Sequence, residues 1–306
     1  MKSNTKSPLR VAVVFLLAAV LVLGTKLAFS ANANAADSAN VGETYYYEEL
    51  KNSDMAQRLY RAINDMTENA NFASGTLEYD LIGSGALTEE EVRKYVDSSS
   101  PRVPVALGAA RDAFYMDNPD LFWLDSYKLY LSAGMQNGVY AAYLGTGNFE
   151  NYYVDNTVKS ASEVKTATEK YNAALEKAVA EVKKAGNDPV ALVKAANKYI
   201  AEKTEYDYGA RKNAQGGVDY DGYVNTAYGS LVNGKALCGG YARAFKAIMD
   251  ELSIPCTLVQ GSAYSGVAAE GTAGYEAHMW NAVKIGGHWY GVDVTYNSSS
   301  LNIDRY

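Results

Sequence analysis

The dipeptide Gly286-Gly287 separates two short runs of β-branched and aromatic residues, and it constrains the fold more than any other feature of the chain. The runs cover 278–285 and 288–296. Two glycines between such runs are typical of a β-hairpin closed by a two-residue turn. In that register Ile285 pairs with His288, and each earlier residue of the first strand has a defined partner on the second. The sequence therefore predicts antiparallel strands here.

The same register predicts that His278 and Asp293 share one face of the hairpin. Trp280 is expected opposite Asp293, and His278 opposite Thr295. Cross-strand partners share a face and neighbours along a strand alternate, so His278 and Asp293 become diagonal neighbours. Their backbones would lie about 7–8 Å apart, which an imidazole and a carboxylate can bridge. His288 falls on the opposite face beside the turn, and we expect it in solvent.

The chain has 306 residues but only two cysteines, Cys238 and Cys256, and two histidines, His278 and His288. Zinc sites made of Cys and His need about four such ligands, and these residues form no CxxC or HxxxH pattern. A chain of this length buries a sizeable core without disulfides. We expect neither a metal site nor a cofactor, and chemistry that needs a Cys/His pair has four combinations to choose from.

The first 36 residues have the pattern of an export signal. Basic residues at positions 2, 6 and 10 precede a nearly pure apolar run over 11–24, and small residues follow near positions 33–35. A membrane span needs about 20 apolar residues, so we favour a cleaved signal peptide. Retention as an N-terminal anchor stays open, and a membrane contact is expected only in that case. The sequence thus predicts a secreted or cell-surface protein.

Charge argues against nucleic acid as a partner. The chain has 28 basic and 35 acidic residues, and residues 1–36 contain four of the basic ones and no acid. Cleavage would leave 24 basic against 35 acidic residues. Nucleic-acid binding depends on neutralising phosphates with Lys and Arg, so a chain this acidic is a poor candidate for it.

The two cysteines lie in different local patterns. Cys238 precedes Gly239-Gly240 and a segment with helical apolar spacing at 241, 244, 245, 248, 249 and 252. A cysteine at a helix N-terminus faces unpaired N–H groups and the helix dipole, which favour the thiolate. We expect the two glycines to let a substrate backbone approach closely. Cys256 lies in a β-branched run over 254–259, which predicts a buried strand.

A disulfide between Cys238 and Cys256 is not expected, although export exposes thiols to oxidation. A helix over 239–252 carries the chain about 20 Å away from Cys238. The four residues from Leu252 to Cys256 span at most about 14 Å, whereas bridged Cα atoms lie within about 7 Å. We interpret Cys238 as a candidate nucleophile and Cys256 as a core thiol. An intermolecular disulfide through Cys256 stays open.

Composition and pattern divide the rest of the chain into two regions. An accessory region over 41–153 mixes helices and strands, and a more regular region follows over 160–306. In the accessory region we predict packing roles for Trp123 and the tyrosines. Its predicted features are a helical stretch over 45–66, a capped helix from Thr88, a turn at Asn118-Pro119 and strands over 121–131 and 138–144. In the second region we predict helices over 162–184 and from Asp188-Pro189 onward.

Three ordered segments resemble the transglutaminase-like superfamily in its bacterial extracellular form. They are Asn233-Gly-Lys-Ala-Leu-Cys-Gly-Gly-Tyr-Ala-Arg-Ala-Phe, His278-Met-Trp-Asn-Ala-Val and Trp289-Tyr-Gly-Val-Asp-Val-Thr, within about 160–300. The resemblance implies an α+β, papain-like fold in which a nucleophile-bearing helix packs on an antiparallel sheet. It also implies that Cys238, His278 and Asp293 form a catalytic triad for cysteine-dependent acyl chemistry on amides.

The chain departs from the eukaryotic members of that superfamily, in which a Trp upstream of the Cys supplies a second oxyanion donor. No Trp lies between Trp123 and Trp280. Tyr206, Tyr208 and Tyr228 are the candidates to replace it. No calcium-binding loop is recognisable, so calcium activation is not expected either.

The resemblance leaves the reaction's acceptor open. An amine acceptor makes the enzyme a cross-linking acyltransferase, and water makes it a peptidase or amidase. Both reactions use the same triad, so the triad does not distinguish them. The expected partner is a protein or peptide substrate, with cell-wall peptides among the candidates. A catalytically silent binding domain is the further alternative. The accessory region is either a pro-region that covers the site or a packing domain, and a longer parent chain is an open possibility.

Overall fold

A computed structural model describes residues 44–68, 77–97, 101–124, 128–146, 160–215, 222–264 and 274–298. The predicted export signal lies outside these residues. From residue 44 onward they belong to one compact unit. Within these ranges, no helix combines the length and apolar character needed to cross a membrane.

The part before residue 147 contains helices packed against a small antiparallel sheet. The three strands of this sheet lie side by side in the order β1-β3-β2. Its elements are α1 (Tyr45–Glu49), α2 (Asp54–Glu68), β1 (Glu78–Asp80), α3 (Glu89–Val96), α4 (Arg102–Asp117), β2 (Tyr130–Gln136) and β3 (Val139–Gly145).

Most predictions for this part are confirmed, and one is wrong. Thr88 and Glu91 form the predicted capping box of α3, and Asn118 ends α4 at the predicted turn. The predicted helical stretch is broken in two at Ser53. The strand predicted over 121–131 is wrong at its start, because residues 121–124 form a turn that buries Phe122 and Trp123 in the core, and β2 begins only at Tyr130.

The part after residue 159 supplies the helix that begins at Cys238 and a second antiparallel sheet. Cys238 is the first residue of α9, and the sheet has the order β6-β7-β8. The elements are α5 (Ala161–Val182), α6 (Pro189–Lys203), β4 (Glu205–Tyr206), α7 (Tyr208–Gln215), α8 (Ala227–Leu231), β5 (Lys235–Ala236), α9 (Cys238–Glu251), β6 (Cys256–Tyr264), β7 (Tyr275–Ile285), β8 (His288–Val292) and α10 (Val294–Asn297).

The hairpin register predicted from Gly286-Gly287 is confirmed. Ile285 pairs with His288, and the antiparallel pairing continues to Asn281 and Val292. Both glycines have positive φ, 57° and 83°, as a two-residue turn of this kind requires. His288 is exposed, as predicted.

Helix α9 packs on one face of this sheet, which is the predicted α+β architecture. Alternate residues of β7 are buried beneath the helix, and Met279 packs with Ala242 and Leu258. Asn281, on the same face, donates from Nδ2 to the Ala242 carbonyl at 2.9 Å. This bond joins the strand that carries His278 to the second turn of the helix that begins at Cys238.

The opposite side of α9 packs against the accessory region. Arg243 is 2% exposed, donates to the Tyr115 carbonyl at 2.7 Å and lies over the Tyr115 ring at 3.6 Å. Lys246 is fully buried and pairs with Asp250 one turn later. One continuous apolar core includes residues from both regions, with Phe122 packed against Tyr171 and Tyr228. Helix α9 therefore packs against both regions.

A buried carboxylate also holds the start of the described chain in place. Asp117 accepts from the backbone N–H groups of Tyr46 and Tyr47, at 3.0 and 2.9 Å, and from the Tyr60 hydroxyl. The Tyr46 hydroxyl in turn donates to the Leu258 carbonyl on β6 at 2.7 Å. Helix α1 thus reaches the β6-β7-β8 sheet through this second contact.

Candidate active site

Cys238 lies where β5 passes directly into α9. Leu237 is the N-cap residue and contributes no side-chain cap, and its N–H donates to the Val224 carbonyl at 2.8 Å. Cys238 is a free, partly exposed thiol that packs beside the cluster of Met279 and Ala242. Cys238 therefore lies at the N-terminal end of α9, where the helix dipole favours negative charge on its sulfur.

The glycines after Cys238 serve the packing of the protein itself, and our expectation of a substrate contact there is wrong. Both are buried. A Cβ on Gly240 would lie 2.5 Å from the Val224 carbonyl oxygen, and one on Gly239 would lie 3.2 Å from Asn225 Oδ1. The first turn of α9 is thus pressed against the 3₁₀ helix that contains Val224 and Asn225.

His278 lies between the other two predicted site residues. Its Nε2 is 2.7 Å from Asp293 Oδ2, and Cys238 is near enough to its ring to raise the pKa of His278. Since Nε2 is engaged by Asp293, Nδ1 is the nitrogen left for the sulfur. The His278 ring is flanked by Trp280, at 5.8 Å and nearly parallel, and by Tyr296, at 5.0 Å. The structure brings Cys238, His278 and Asp293 together in series.

Asp293 reaches His278 from a different backbone position than predicted. We expected the strand to continue to residue 296 with Thr295 opposite His278, and this is wrong: β8 ends at Val292 and α10 begins at Val294. Asp293 is the N-cap of α10, and its Oδ1 accepts from the Tyr296 N–H at 3.2 Å. One carboxylate oxygen therefore fixes the helix, and the other receives the imidazole.

The electrostatics of this cluster keep His278 charged. Burial alone would lower the pKa of His278, because only 10% of its side chain is exposed. The hydrogen bond to Asp293 and the negative charges of Asp293 and Cys238 outweigh burial and raise the pKa to about 9. At neutral pH the imidazole is accordingly in its protonated form, which stabilises negative charge on a neighbouring sulfur.

The cysteines differ as the sequence predicts. Cys256 is fully buried in β6, and burial raises the pKa of its thiol well above the ordinary value. Asn281 Nδ2 lies 3.7 Å from its sulfur. Both cysteines are free thiols in the structure. Cys238 is the more accessible of the two.

The three tyrosines considered as oxyanion donors lie in different surroundings. Tyr206 pairs with Ala236 in the parallel β4–β5 ladder, and Ala236 lies two residues before Cys238. Tyr206 also packs against the apolar cluster that includes Leu237. Burial raises the pKa of Tyr206, and the nearby charge of Cys238 raises it further. Tyr208 is 50% exposed. Tyr228 is buried in the core, where it stacks on Tyr223. Tyr206 is therefore the candidate next to the nucleophile.

Three features near His278 escaped the sequence reasoning. Asn281 bonds α9, as described above. A Cβ on Gly261, the residue paired with His278, would lie 2.7 Å from the Trp280 ring, so the glycine makes room for that ring. Glu276 on β7 forms an ion pair with Arg211 on α7. The alternation of β7 could have placed Glu276 beside His278, but nothing local identifies Arg211 as its partner.

No group of three or more His, Cys, Asp or Glu side chains that could hold a metal ion occurs in the described ranges. The chemistry available at the site is that of a thiol beside a charged imidazole and a carboxylate. Such an arrangement serves nucleophilic attack on a carbonyl carbon.

Comparison with known proteins finds a family that resembles this part of the chain. Residues 176–294 match the family model of the transglutaminase-like superfamily, and the matched part includes Cys238, His278 and Asp293. Members of the superfamily are usually cysteine-dependent enzymes. Among curated proteins, no match was found.

Three solved structures resemble the chain. A structure described as a TGase is 20% identical, with a TM-score of 0.36, and the similarity covers 54% of this chain and 43% of that one. For a candidate cysteine protease from Cytophaga hutchinsonii the values are 15%, 0.30, 55% and 62%. For the periplasmic domain of TgpA from Pseudomonas aeruginosa, bound to ethylmercury, they are 17%, 0.32, 61% and 72%. The chain thus spans less than two thirds of the first two structures.

Proposed function

We propose that the protein is a cysteine-dependent enzyme that transfers or hydrolyses acyl groups of amide bonds in peptides or glutamine side chains. The observation that carries this proposal is the position of His278, which bonds Asp293 at 2.7 Å and interacts electrostatically with Cys238. A thiol, an imidazole and a carboxylate in series are the parts that nucleophilic acyl chemistry requires.

The proposed reaction begins with the sulfur of Cys238. As thiolate, the sulfur attacks the amide carbonyl carbon, and a tetrahedral intermediate forms. The His278 imidazolium then gives its proton to the leaving nitrogen, the C–N bond breaks and a thioester remains on Cys238. Neutral His278 next takes a proton from the incoming amine or water, which attacks the thioester and releases Cys238. Asp293 orients the ring and stabilises its charged form throughout.

The oxyanion of the tetrahedral intermediate needs hydrogen-bond donors. The Cys238 backbone N–H at the start of α9 is one proposed donor, because first-turn N–H groups have no partner within the helix. We propose the Tyr206 hydroxyl as the second. Its support is the ladder position two residues before Cys238 and its packing on Leu237. Tyr208 and Tyr228 are less suited, since one points largely into solvent and the other lies in the core.

The setting of the reaction follows from the N-terminal pattern and the charge balance. We propose a secreted or surface-bound bacterial enzyme that acts on proteins or peptides, including cell-wall peptides. Amine and water acceptors both fit the same three residues, so the proposal covers cross-linking acyltransferase and peptidase or amidase activity. A catalytically silent binding domain of the same fold is the competing function.

The test is active-site labelling and product analysis with purified protein. Iodoacetamide should alkylate Cys238 selectively, and peptides that bear glutamine and lysine should be converted by the unmodified enzyme. The Cys238→Ala variant should lose both the label and the conversion. Mass spectrometry of the products separates isopeptide from free acid, and therefore transferase from hydrolase.

Cys256→Ala is the matched control, because it removes the other thiol from a fully buried position. It should leave labelling and conversion unchanged. Labelling that persists in Cys238→Ala, or that occurs on Cys256, contradicts a catalytic role for Cys238. Selective labelling without conversion of any amide, ester or peptide would favour the silent binding domain.

A further inference from the structure

An ion pair joins α7 to β7 beside the proposed active site. Arg211 Nε donates to Glu276 Oε2 at 3.1 Å, and its Nη2 donates to the other carboxylate oxygen. Both side chains are about one quarter exposed, at 23% and 25%. Glu276 lies two residues before His278, so the two side chains project from the same face of β7.

The same ion pair is connected to Tyr206 through a short, rigid stretch of backbone. Tyr206 ends β4, and α7 begins at Tyr208. Asp207 between them caps α7: its Oδ1 accepts from the Ala210 N–H at 2.9 Å, and its carbonyl accepts from the Arg211 N–H at 3.0 Å. Any shift of α7 relative to β7 would therefore move Tyr206 relative to His278.

The charges of the pair also act on the Tyr206 hydroxyl directly. Burial raises the pKa of Tyr206, the positive charge of Arg211 lowers it and the negative charge of Glu276 raises it. Burial lowers the pKa of Arg211, and Glu276 and the Tyr206 phenol raise it. The guanidinium therefore favours negative charge on the phenol oxygen.

We propose that Arg211, held by Glu276, is a positioning residue that fixes the Tyr206 hydroxyl toward Cys238 and strengthens it as a hydrogen-bond donor to the oxyanion. This inference rests on the proposed function of the site. The guanidinium polarises the O–H bond toward the acceptor, and its fork on Glu276 keeps α7 in register with the strand of His278. Arg211 itself touches no reacting atom.

The inference separates two reactions of the same sulfur. Acylation by p-nitrophenyl acetate passes through an oxyanion, whereas alkylation by iodoacetamide does not. Tyr206→Phe should slow acylation about 100-fold, as loss of one oxyanion donor does elsewhere. Arg211→Ala should slow acylation about 10-fold and change alkylation by less than about 2-fold. Arg211→Lys keeps the charge without the fork and should recover part of the acylation rate.

A double-mutant cycle tests whether Arg211 acts through Tyr206. In the Tyr206→Phe background, Arg211→Ala should slow acylation by less than about 2-fold, because the hydroxyl it supports is already gone. A further 10-fold loss in that background would overturn the inference. An equal loss of acylation and alkylation in Arg211→Ala would overturn it too, since a general disturbance of the site affects both reactions.

A matched ion pair far from the site supplies the control. Arg58 and Glu91 form a fork of similar exposure, 21% and 26%, between α2 and α3. Arg58→Ala should leave both rates unchanged. If wild-type acylation is absent or survives Cys238→Ala, the proposed function itself fails. If acylation depends on Cys238 but ignores Arg211→Ala, only the inference about Arg211 fails.

Discussion

Asp293 bonds the His278 imidazole with one carboxylate oxygen while its other oxygen caps the helix that follows. The first contact is 2.7 Å long, and the cap bond to the Tyr296 N–H is 3.2 Å long. The carboxylate therefore cannot rotate without losing one of two hydrogen bonds. Tyr296 also places its ring beside His278, so the cap orients both the acceptor and one neighbour of the imidazole.

Asp293→Asn should slow Cys238-dependent acylation about 1000-fold, with a loss of stability of at most about 3 kcal/mol. Asn remains a good helix cap, but its neutral amide no longer stabilises a charged imidazole. Burst kinetics with p-nitrophenyl acetate measure the effect. Asp188→Asn is the control, because Asp188 caps α6 by a similar bond to the Ala191 N–H and lies outside the site. If both variants react alike, Asp293 serves the fold alone.

His278 should titrate with a pKa of about 9. Proton NMR of the His288→Gln variant, which keeps a single histidine, measures this directly. Adding Asp293→Asn should bring the pKa of His278 down toward the ordinary value of about 6.5, because the carboxylate no longer offsets the lowering of the pKa by burial. A value near 6.5 in the presence of Asp293 would contradict the electrostatics described for the site.

The raised pKa of His278 also has a consequence for stability. The folded state holds the proton more tightly than the unfolded chain, so this contribution is complete below pH about 6.5 and disappears as the pH rises through about 9. It amounts to no more than about 3 kcal/mol. Urea unfolding of wild type and His278→Gln should therefore differ most near pH 6 and converge toward pH 10.

Gly261→Ala should impair the site at a distance from the nucleophile. The new methyl would meet the Trp280 ring at 2.7 Å and push it toward His278. We expect alkylation of Cys238 to slow by about 10-fold, with a loss of stability of about 1–3 kcal/mol. Gly291→Ala on β8 is the control, since a Cβ there meets no described atom within 4 Å. Equal rates in the two variants would argue against the Trp280 contact.

Asp117 should make the protein more stable as the pH falls from 7 to 4. Burial raises the pKa of this carboxyl to about 6, against the opposing effect of the Tyr46 and Tyr47 N–H groups. A folded-state pKa above the unfolded value means that the folded chain gains up to about 3 kcal/mol on protonation. Denaturant unfolding at several pH values measures the slope. Asp117→Asn should remove this part of the slope, and an unchanged slope would refute the assignment.

The accessory region should remain bound after the chain is cut between the two regions. A specific protease site introduced within 150–156 tests this, because the bond from Arg243 to the Tyr115 carbonyl and the shared core join the regions independently of that connection. The two fragments should co-elute in size exclusion and keep the activity. Arg243→Ala should weaken their association by about 3 kcal/mol. Release of a folded, active fragment after cleavage would instead identify a removable pro-region.

The parts of the site that follow from strand parity could be predicted from the sequence. Gly286-Gly287 fixes the turn, and the two-residue period of a strand then assigns His278 and Asp293 to neighbouring positions. The end of β8 could not be predicted in this way. Residues 294–296 have β-branched and aromatic side chains typical of strands, and the outcome depends on the Asp293 side chain, which offers the backbone a helix cap instead.

Features that depend on contacts between distant segments were the least predictable. Helix α4 contains Pro104 and Gly108 and lacks a strong amphipathic pattern, so its packing against α2 is what stabilises it. Arg211 and Glu276 are 65 residues apart, and the sequence around neither residue indicates that the two form an ion pair. Tyr206 and Tyr228 look equally suitable as donors in the sequence, and only the core position of Tyr228 separates them.

Helix α9 has consequences for how parts of this protein can be exchanged with other proteins. Because one side of it packs on the sheet and Arg243 on the other side donates to the Tyr115 carbonyl of α4, a graft of residues 160–298 onto a foreign N-terminal region would leave this buried guanidinium facing an unmatched surface. A viable chimera has to transfer α4 together with α9, or replace Arg243 with an apolar residue of similar size. Helices α4 and α9 thus form one unit in any such exchange.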